Sequence, residues 1–384
     1  MRIAMLTGGG DVPGLNSCIK AIVTRAEELG WETIGFRRGW AGPLQVDPQD
    51  ESSIRDHVMG LDRTTVRGID RAGGTILHTS RTNPGKVATK DLPDFLRARY
   101  KSQTNKGIDC TDHVIDVLEK LQIDAIIAIG GDDTLSYAAR LHREGMRVMG
   151  CPKTMDNDVF GTDYCIGFGT AVGRSVDFLD ALRTPTGSHE RIAVVELFGR
   201  DCGETALISG YLAGADRVLI SEVPFYVDKL ADLVMADKSA NPSNYAIIVV
   251  SEGARMVGSD TIKSGELDAY GHRQLGGIGE ILGKALKQRT RQGIVNQSLA
   301  YLMRAGPAVA LDRMVATAFG TMAVQSLEAG EAGLMMALRD GNYETVPVET
   351  CIQGEKRVDV EELYDSYAYR PTIRHVRGKP MYLY

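Results

Sequence analysis

Two short stretches decide the reading of this chain: Gly130-Gly131-Asp132-Asp133-Thr134 and Pro152-Lys153-Thr154-Met155-Asp156-Asn157-Asp158. Each follows an apolar run, Ile126-Ile127-Ala128-Ile129 before the first and Val148-Met149-Gly150-Cys151 before the second. Such runs read as buried strands, and the glycines and carboxylates after them as loops. In open α/β sheets, ligands gather just beyond the carboxyl ends of the strands. Four aspartates, one lysine and paired glycines at two such ends point to metal-assisted phosphoryl transfer.

Outward from these stretches, strand-like and helical patterns alternate. Ile3–Thr7 reads as a strand, and a helix follows over Asn16–Leu29 with Ile19, Ile22 and Val23 on one face. Thr33–Phe36, Ile192–Leu197 and Ala246–Val250 read as further strands, and Val114–Leu121 and Leu135–Arg143 as helices. The alternation predicts an α/β fold with largely parallel sheets covered on both faces by helices. The polar stretch from Lys86 to Gly107 reads as a surface excursion, and the tail after Gly341 as a segment packed across the body.

Composition narrows the function classes. With 384 residues the chain can form two lobes, and its hydrophobic and charged fractions, 43% and 24%, are those of a globular protein. A net charge of −6 gives no support to nucleic-acid binding, so anionic ligands need local basic clusters. The six cysteines have no CxxC or metal-like spacing, which suits reduced thiols in a cytoplasm. No apolar run reaches the roughly 20 residues that span a membrane. The first residues run straight into a strand-like segment without a signal-peptide pattern, so a cytoplasmic location is expected.

Each motif has a plain structural reading beside its chemical one. Gly8-Gly9-Gly10-Asp11-Val12-Pro13-Gly14-Leu15-Asn16 joins a strand to a helix. It suits backbone N–H contacts to phosphate, or simply a tight turn. No Walker lysine follows the glycines. Asp132 suits a Mg²⁺ ligand, or a cap on a helix starting near Thr134. Asp156 and Asp158 suit proton transfer with Lys153 offsetting their charge, or a polar turn. Arg81, Arg191, Arg200 and Arg304 stand at strand or loop ends. Each alone suits a surface ion pair, whereas four together suit phosphate binding. His78 and His189 lack metal-ligand spacing, and Met335 and Met336 read as core.

Taken in order, these segments resemble the phosphofructokinase family from Gly8 to about Arg313. The matching motifs are Gly-Gly-Asp-x-Thr at 130–134, Pro-x-Thr-x-Asp-Asn-Asp at 152–158, Ser188-His189-Glu190-Arg191, and Tyr301-Leu302-Met303-Arg304 before Leu311-Asp312-Arg313. The resemblance implies two Rossmann-like lobes with the active site between them. The donor lobe would span about 1–155 with C-terminal segments returning to it, the sugar-phosphate lobe about 156–315, and C-terminal helices and a tail about 316–384. It also implies Mg²⁺ on Asp132, with Gly9, Gly10, Gly131 and Arg81 around the donor phosphates. Asp156 would be the base toward the 1-hydroxyl of fructose 6-phosphate, with Thr154 and Asp158 in the same loop. Met155, Phe198, Gly199, Arg200, Glu252, Tyr301, Leu302, Met303 and Arg304 would contact the sugar phosphate. Arg191 matches an arginine that in relatives reaches into a neighbouring subunit's site, which implies a homodimer or homotetramer.

Two positions bear on the donor. ATP-using relatives commonly carry glycine where this chain has Asp133, and many also at Lys153. A carboxylate at 133 opposes the α-phosphate of ATP, which pyrophosphate lacks. The Asp133 and Lys153 pair resembles the pyrophosphate-dependent branch, and the rivals are an ATP-dependent enzyme and a non-catalytic sugar-phosphate-binding subunit. Departures are Tyr301 in place of histidine, Ala305 in place of glycine, and Val295 where a second inter-subunit arginine is expected, with Arg291 nearby.

Overall fold

A computed structural model describes residues 1–100, 107–258 and 277–378. Among these, the chain forms β1 (Arg2–Thr7), β2 (Glu32–Phe36), β3 (Val58–Leu61), β4 (Ala125–Gly130) and β5 (Val148–Pro152). It continues with β6 (Ile192–Leu197), β7 (Arg217–Leu219), β8 (Ala246–Ser251), β9 (Ile294–Ser298), β10 (Leu334–Arg339) and β11 (Asn342–Pro347). A seven-stranded sheet runs β11-β10-β5-β4-β1-β2-β3, and a four-stranded sheet runs β7-β8-β6-β9. The inner strands of the first sheet and all of the second are parallel, while β3 and β11 add antiparallel edges. This is the expected α/β class with largely parallel sheets.

The strands read most easily are those buried on both faces. Every residue of β4, β6 and β8 is buried, so helices must cover both sides. The helix Leu15–Glu28 buries Ile19, Ile22 and Val23 against the first sheet. It packs on the helix Ala310–Glu328 so closely that a Cβ on Gly320 would lie 2.7 Å from the Cys18 carbonyl.

Two helices carry the chain between the sheets. Phe168–Ser188 leads out from the first sheet, and Ala310–Glu328 returns. They are tied by Asp312, which is fully buried and accepts hydrogen bonds from Tyr164 Oη, Gly167 N, Thr170 N and Thr170 Oγ1. Four donors satisfy a carboxylate that would otherwise be costly to bury.

Past Glu328 the chain departs from the expected helices. Leu334–Arg339 enters the first sheet beside β5, and Asn342–Pro347 folds back on it. Met335 and Met336 are core, as read. The tail then crosses to the second sheet as a two-strand ribbon, β12 (Tyr364–Asp365) with β13 (Arg370–Pro371). Val218 N there donates to the Tyr369 carbonyl at 2.9 Å. The excursion expected over 86–107 lies partly outside the described residues; its described part buries Val87, Leu92, Leu96 and Tyr100 in a small cluster with Leu44 and Cys110. All six cysteines are buried and free. Among the described residues, no helix is long and apolar enough to cross a membrane.

Candidate active site

The carboxyl ends of β1, β4 and β5 face those of β6, β8 and β9 across a cleft of about 1260 Å³. From the first sheet it is lined by Gly9, Gly10, Arg81, Gly131, Asp132, Asp133, Lys153, Thr154, Met155, Asp156 and Asp158. From the second come Phe198, Arg200, Glu252, Tyr301 and Arg304.

The helix expected to begin near Thr134 begins at Asp132. Gly131 is its N-cap, and Asp132 and Asp133 occupy its first turn with no side-chain cap. Both carboxyls therefore sit at the positive end of the helix dipole, where negative charge is favoured. Gly130 gives room for this turn, since a Cβ there would lie 2.3 Å from Thr134 Cβ. The Asp132 carboxyl is pushed up to about 8, chiefly by burial and then by Asp158 and Asp133, with Arg357 and Lys153 pulling the other way.

The loop after β5 has a strand-like alternation. Thr154, Asp156 and Asp158 are half-buried and face the cleft, while Asn157 and Val159 are fully buried behind them. Asn157 pins the loop: its Nδ2 donates to the Asp163 carbonyl at 2.9 Å and to Glu204 Oε1 at 3.0 Å, and its Oδ1 accepts from Cys165 N at 2.8 Å. It holds φ 55°, a left-handed conformation that asparagine tolerates better than most residues. The Asp156 carboxyl is raised by burial, then by Asp158 and Glu252. Its Oδ1 is buried without a hydrogen-bond partner, on a residue that lines the cleft.

Basic groups surround these carboxylates. Lys153 is 3% exposed and donates from Nζ to the Gly10 carbonyl at 2.6 Å, bracing the loop after β1. A Cβ on Gly9 would lie 3.2 Å from the same ammonium, and one on Gly10 2.4 Å from Arg304 Nη1. The glycines therefore keep the cleft open for a ligand to reach both cations. Arg304 stacks 4.4 Å over the Tyr301 ring and approaches Asp11 at 3.6 Å. Burial pushes the Glu252 carboxyl up to about 7 against the pull of Arg200.

Of the residues expected at the site, several lie outside the cleft. Met303 is fully buried, where its Sδ accepts from Phe198 N at 3.3 Å, so it supports the wall instead of facing a ligand. Leu302 is exposed beside Tyr301 but does not line the cleft. Gly199 supplies a tight turn at φ 135°, where a Cβ would lie 2.6 Å from Ser251 Oγ. Arg191 is exposed at the amino end of β6, away from the cleft at its carboxyl end.

Other cleft residues were not anticipated. Asn296, Gln297 and Ser298 end β9, and a polar strand end just before Tyr301 was the signal available. Glu196 accepts from Gly277 N and Gly279 N at 3.1 and 2.7 Å, holding the start of the helix Ile278–Thr290. Gly354, Glu355, Lys356 and Arg357 arrive from the distant tail, for which no local pattern exists.

The phosphofructokinase family profile matches residues 2–327. The chain belongs to the phosphofructokinase family. It is 41% identical over 371 residues to the pyrophosphate–fructose 6-phosphate 1-phosphotransferase of Amycolatopsis methanolica, covering 96% of this chain and 99% of that protein. It is 39% identical over 360 residues to the ATP-dependent 6-phosphofructokinase 3 of Streptomyces coelicolor, covering 93% and 96%. The fold is shared with the pyrophosphate-dependent phosphofructokinase of Nitrosospira multiformis, with TM-score 0.75, 18% identity, and 100% and 95% of the chains covered.

Proposed function

We propose that this chain transfers a phosphoryl group from pyrophosphate to the 1-hydroxyl of fructose 6-phosphate, yielding fructose 1,6-bisphosphate and phosphate. The observation that carries this reading is the meeting of Asp132, Asp133, Lys153 and Asp156 on one wall with Arg200, Glu252 and Arg304 on the other. One wall suits a phosphoryl donor and the other a sugar phosphate, and in-line transfer needs both held at once. The names of near-full-length relatives support the same reaction class.

Asp156 suits the base, since its buried, unpartnered Oδ1 can accept the hydroxyl proton as the oxygen attacks phosphorus. Thr154 Oγ1 accepts from Asp156 N at 3.1 Å and fixes the backbone that carries it. Lys153 can neutralise charge on the departing phosphate. Arg200 and Arg304 suit the 6-phosphate, and Glu252 a sugar hydroxyl.

The donor set also fits Mg²⁺. Among the described residues no three His, Cys, Asp or Glu side chains could hold a metal by themselves. Magnesium instead takes one or two carboxylates and completes its shell with water and substrate phosphates. Asp132, crowded by Asp133 and Asp158, is a carboxylate that a cation would relieve. Bound there with the donor, Mg²⁺ would neutralise phosphate charge and orient the transferring group.

Asp133 favours pyrophosphate over ATP, because it lines the donor wall where a nucleotide's α-phosphate would meet a carboxylate. ATP is the second reading, favoured by relatives with ATP-dependent names. Arg191, exposed and remote from its own cleft, suits a contact to a neighbouring subunit's site in a homodimer or homotetramer. The test supplies purified protein with fructose 6-phosphate and Mg²⁺, with pyrophosphate or ATP in parallel. Bisphosphate formed with pyrophosphate alone is expected. Turnover with ATP alone overturns the donor assignment, and turnover with neither overturns the reaction.

A further inference from the structure

The last part of the chain to reach the cleft is Gly354-Glu355-Lys356-Arg357, and all four residues line it. The family profile ends at residue 327, well before them. Their placement is built, and side chains from elsewhere fasten it on both flanks of Arg357. On one flank Lys356 is largely buried, its Nζ donating to the Asp163 carbonyl at 2.8 Å and lying 3.4 Å from Glu204 Oε2. On the other, Val358 N donates to Glu222 Oε1 at 3.0 Å, a carboxylate that also accepts from Gly203 N at 3.0 Å. Gly354 lets the strap lie against Phe160, whose ring would be 2.7 Å from a Cβ there.

A segment pinned this way holds Arg357 at the cleft wall. The chain comes to this wall from the turn Val348–Ile352, which packs on the helix Asp132–Arg143 that opens with Asp132. Its Nη2 meets Glu355 Oε2 at 2.8 Å, but that carboxylate is 76% exposed and water screens the pair. The fork is therefore weakly held and can exchange this partner for a phosphate. The same anchor reaches the catalytic loop, because Glu204, the partner of Lys356, also accepts from Asn157 Nδ2.

We propose that Arg357 is a donor-binding residue, gripping phosphate oxygens on the Asp132 side of the cleft, and that the tail strap pinned by Lys356 is a working part of the donor site. This rests on the reading of the first-sheet wall as the donor side. It explains why a cleft crowded with aspartates can accept a multiply charged anion: the strap adds a cation beside the cluster that repels it.

The test is Arg357→Gln and Arg357→Lys in the full chain, with steady-state kinetics in both directions and calorimetric titration of pyrophosphate. Loss of one charge-assisted contact should raise KM for pyrophosphate, and for phosphate in reverse, roughly 10- to 100-fold. KM for fructose 6-phosphate should stay within about twofold, and Arg357→Lys should recover part of the loss, since it keeps the charge without the fork. Donor KM within about twofold of wild type, or equal rises for donor and sugar, overturns the inference while leaving the reaction intact. Wild-type turnover with ATP alone overturns the donor reading instead, and the same donor-selective rise, now in KM for ATP, then decides the role of Arg357.

Discussion

Replacing Lys153 separates the stability of this site from its chemistry. The ammonium is 3% exposed and donates to the Gly10 carbonyl at 2.6 Å. Burial, then Arg304, lowers its pKa from 10.5 to about 8, although Asp11 and Asp158 oppose the change. The folded value lies below the unfolded one, so the stability this group contributes is complete only above the unfolded value and is lost as pH falls through about 8. At 1.36 kcal/mol per pH unit, holding the charged lysine in place at pH 7 costs about 3 kcal/mol. That figure is net, because a pKa compares the charged and neutral forms with every contact in place, the bond to the Gly10 carbonyl included. Lys153→Met should therefore range from unchanged to about 3 kcal/mol more stable than wild type in urea unfolding at pH 7.

The same variant should lose about 10²–10³ in kcat, the usual effect of removing one group aimed at transition-state charge. In the wild type, kcat/KM for the donor should fall above about pH 8 as free enzyme loses this proton. A bound donor anion favours the charged lysine, so the fall in kcat should come at higher pH. Lys153→Arg should move the basic limb out of range, because guanidinium stays charged. A limb near pH 8 that persists in Lys153→Arg would refute the assignment, as would a Lys153→Met enzyme that is clearly less stable yet retains full kcat.

Three further substitutions probe the other roles. Asp133→Gly should raise kcat/KM for ATP and weaken use of pyrophosphate; steady-state kinetics showing no gain with ATP would remove the donor argument. Asp156→Ser should bind fructose 6-phosphate about as tightly as wild type by calorimetry while kcat falls about 10²–10⁴-fold, and a loss of binding instead would make Asp156 a binding residue. Glu252, pushed up to about 7 by burial, gains its charge as pH rises through that value. An acidic limb near pH 7 in kcat/KM for fructose 6-phosphate should therefore disappear in Glu252→Gln, and a limb that survives belongs to another group.

The sequence is most legible where one local rule dominates. The runs Ile126–Ile129 and Ile192–Leu197 announce buried parallel strands because both faces are covered and no polar alternation interrupts them. The glycines and aspartates that follow are legible for the same reason, since a strand end, a helix N-terminus and a carboxylate are adjacent in the chain. The start of the helix at Asp132 was not legible: capping preference favours an Asp cap, yet Gly131 takes that place and leaves both carboxylates in the first turn. Met303 misled because it lies between residues that do face the cleft, and only the packing of Phe198 against it turns it inward. Lys356 and Arg357 could not be found at all, because long-range pairing of the tail with Asp163, Glu204 and Glu222 brings them in.

Three crossings between the two sheets hold the walls of the cleft in register: the helix Phe168–Ser188, the helix Ala310–Glu328, and the tail running from β11 to the ribbon beside β7. Asp312 locks the first two together. Lys356 locks the third to the loop after β5 through Glu204 and Asn157. Such a frame fixes where an acceptor oxygen and a donor phosphorus meet, and that geometry is common to any phosphoryl donor. The groups that discriminate between donors then need only sit at one edge of it. On the reading proposed above, Asp133, Lys153 and Arg357 are three such residues, and all of them line the cleft. Relatives at 41% and 39% identity bear names with different donors, a pattern expected where overall similarity follows the frame and a few charges choose the donor.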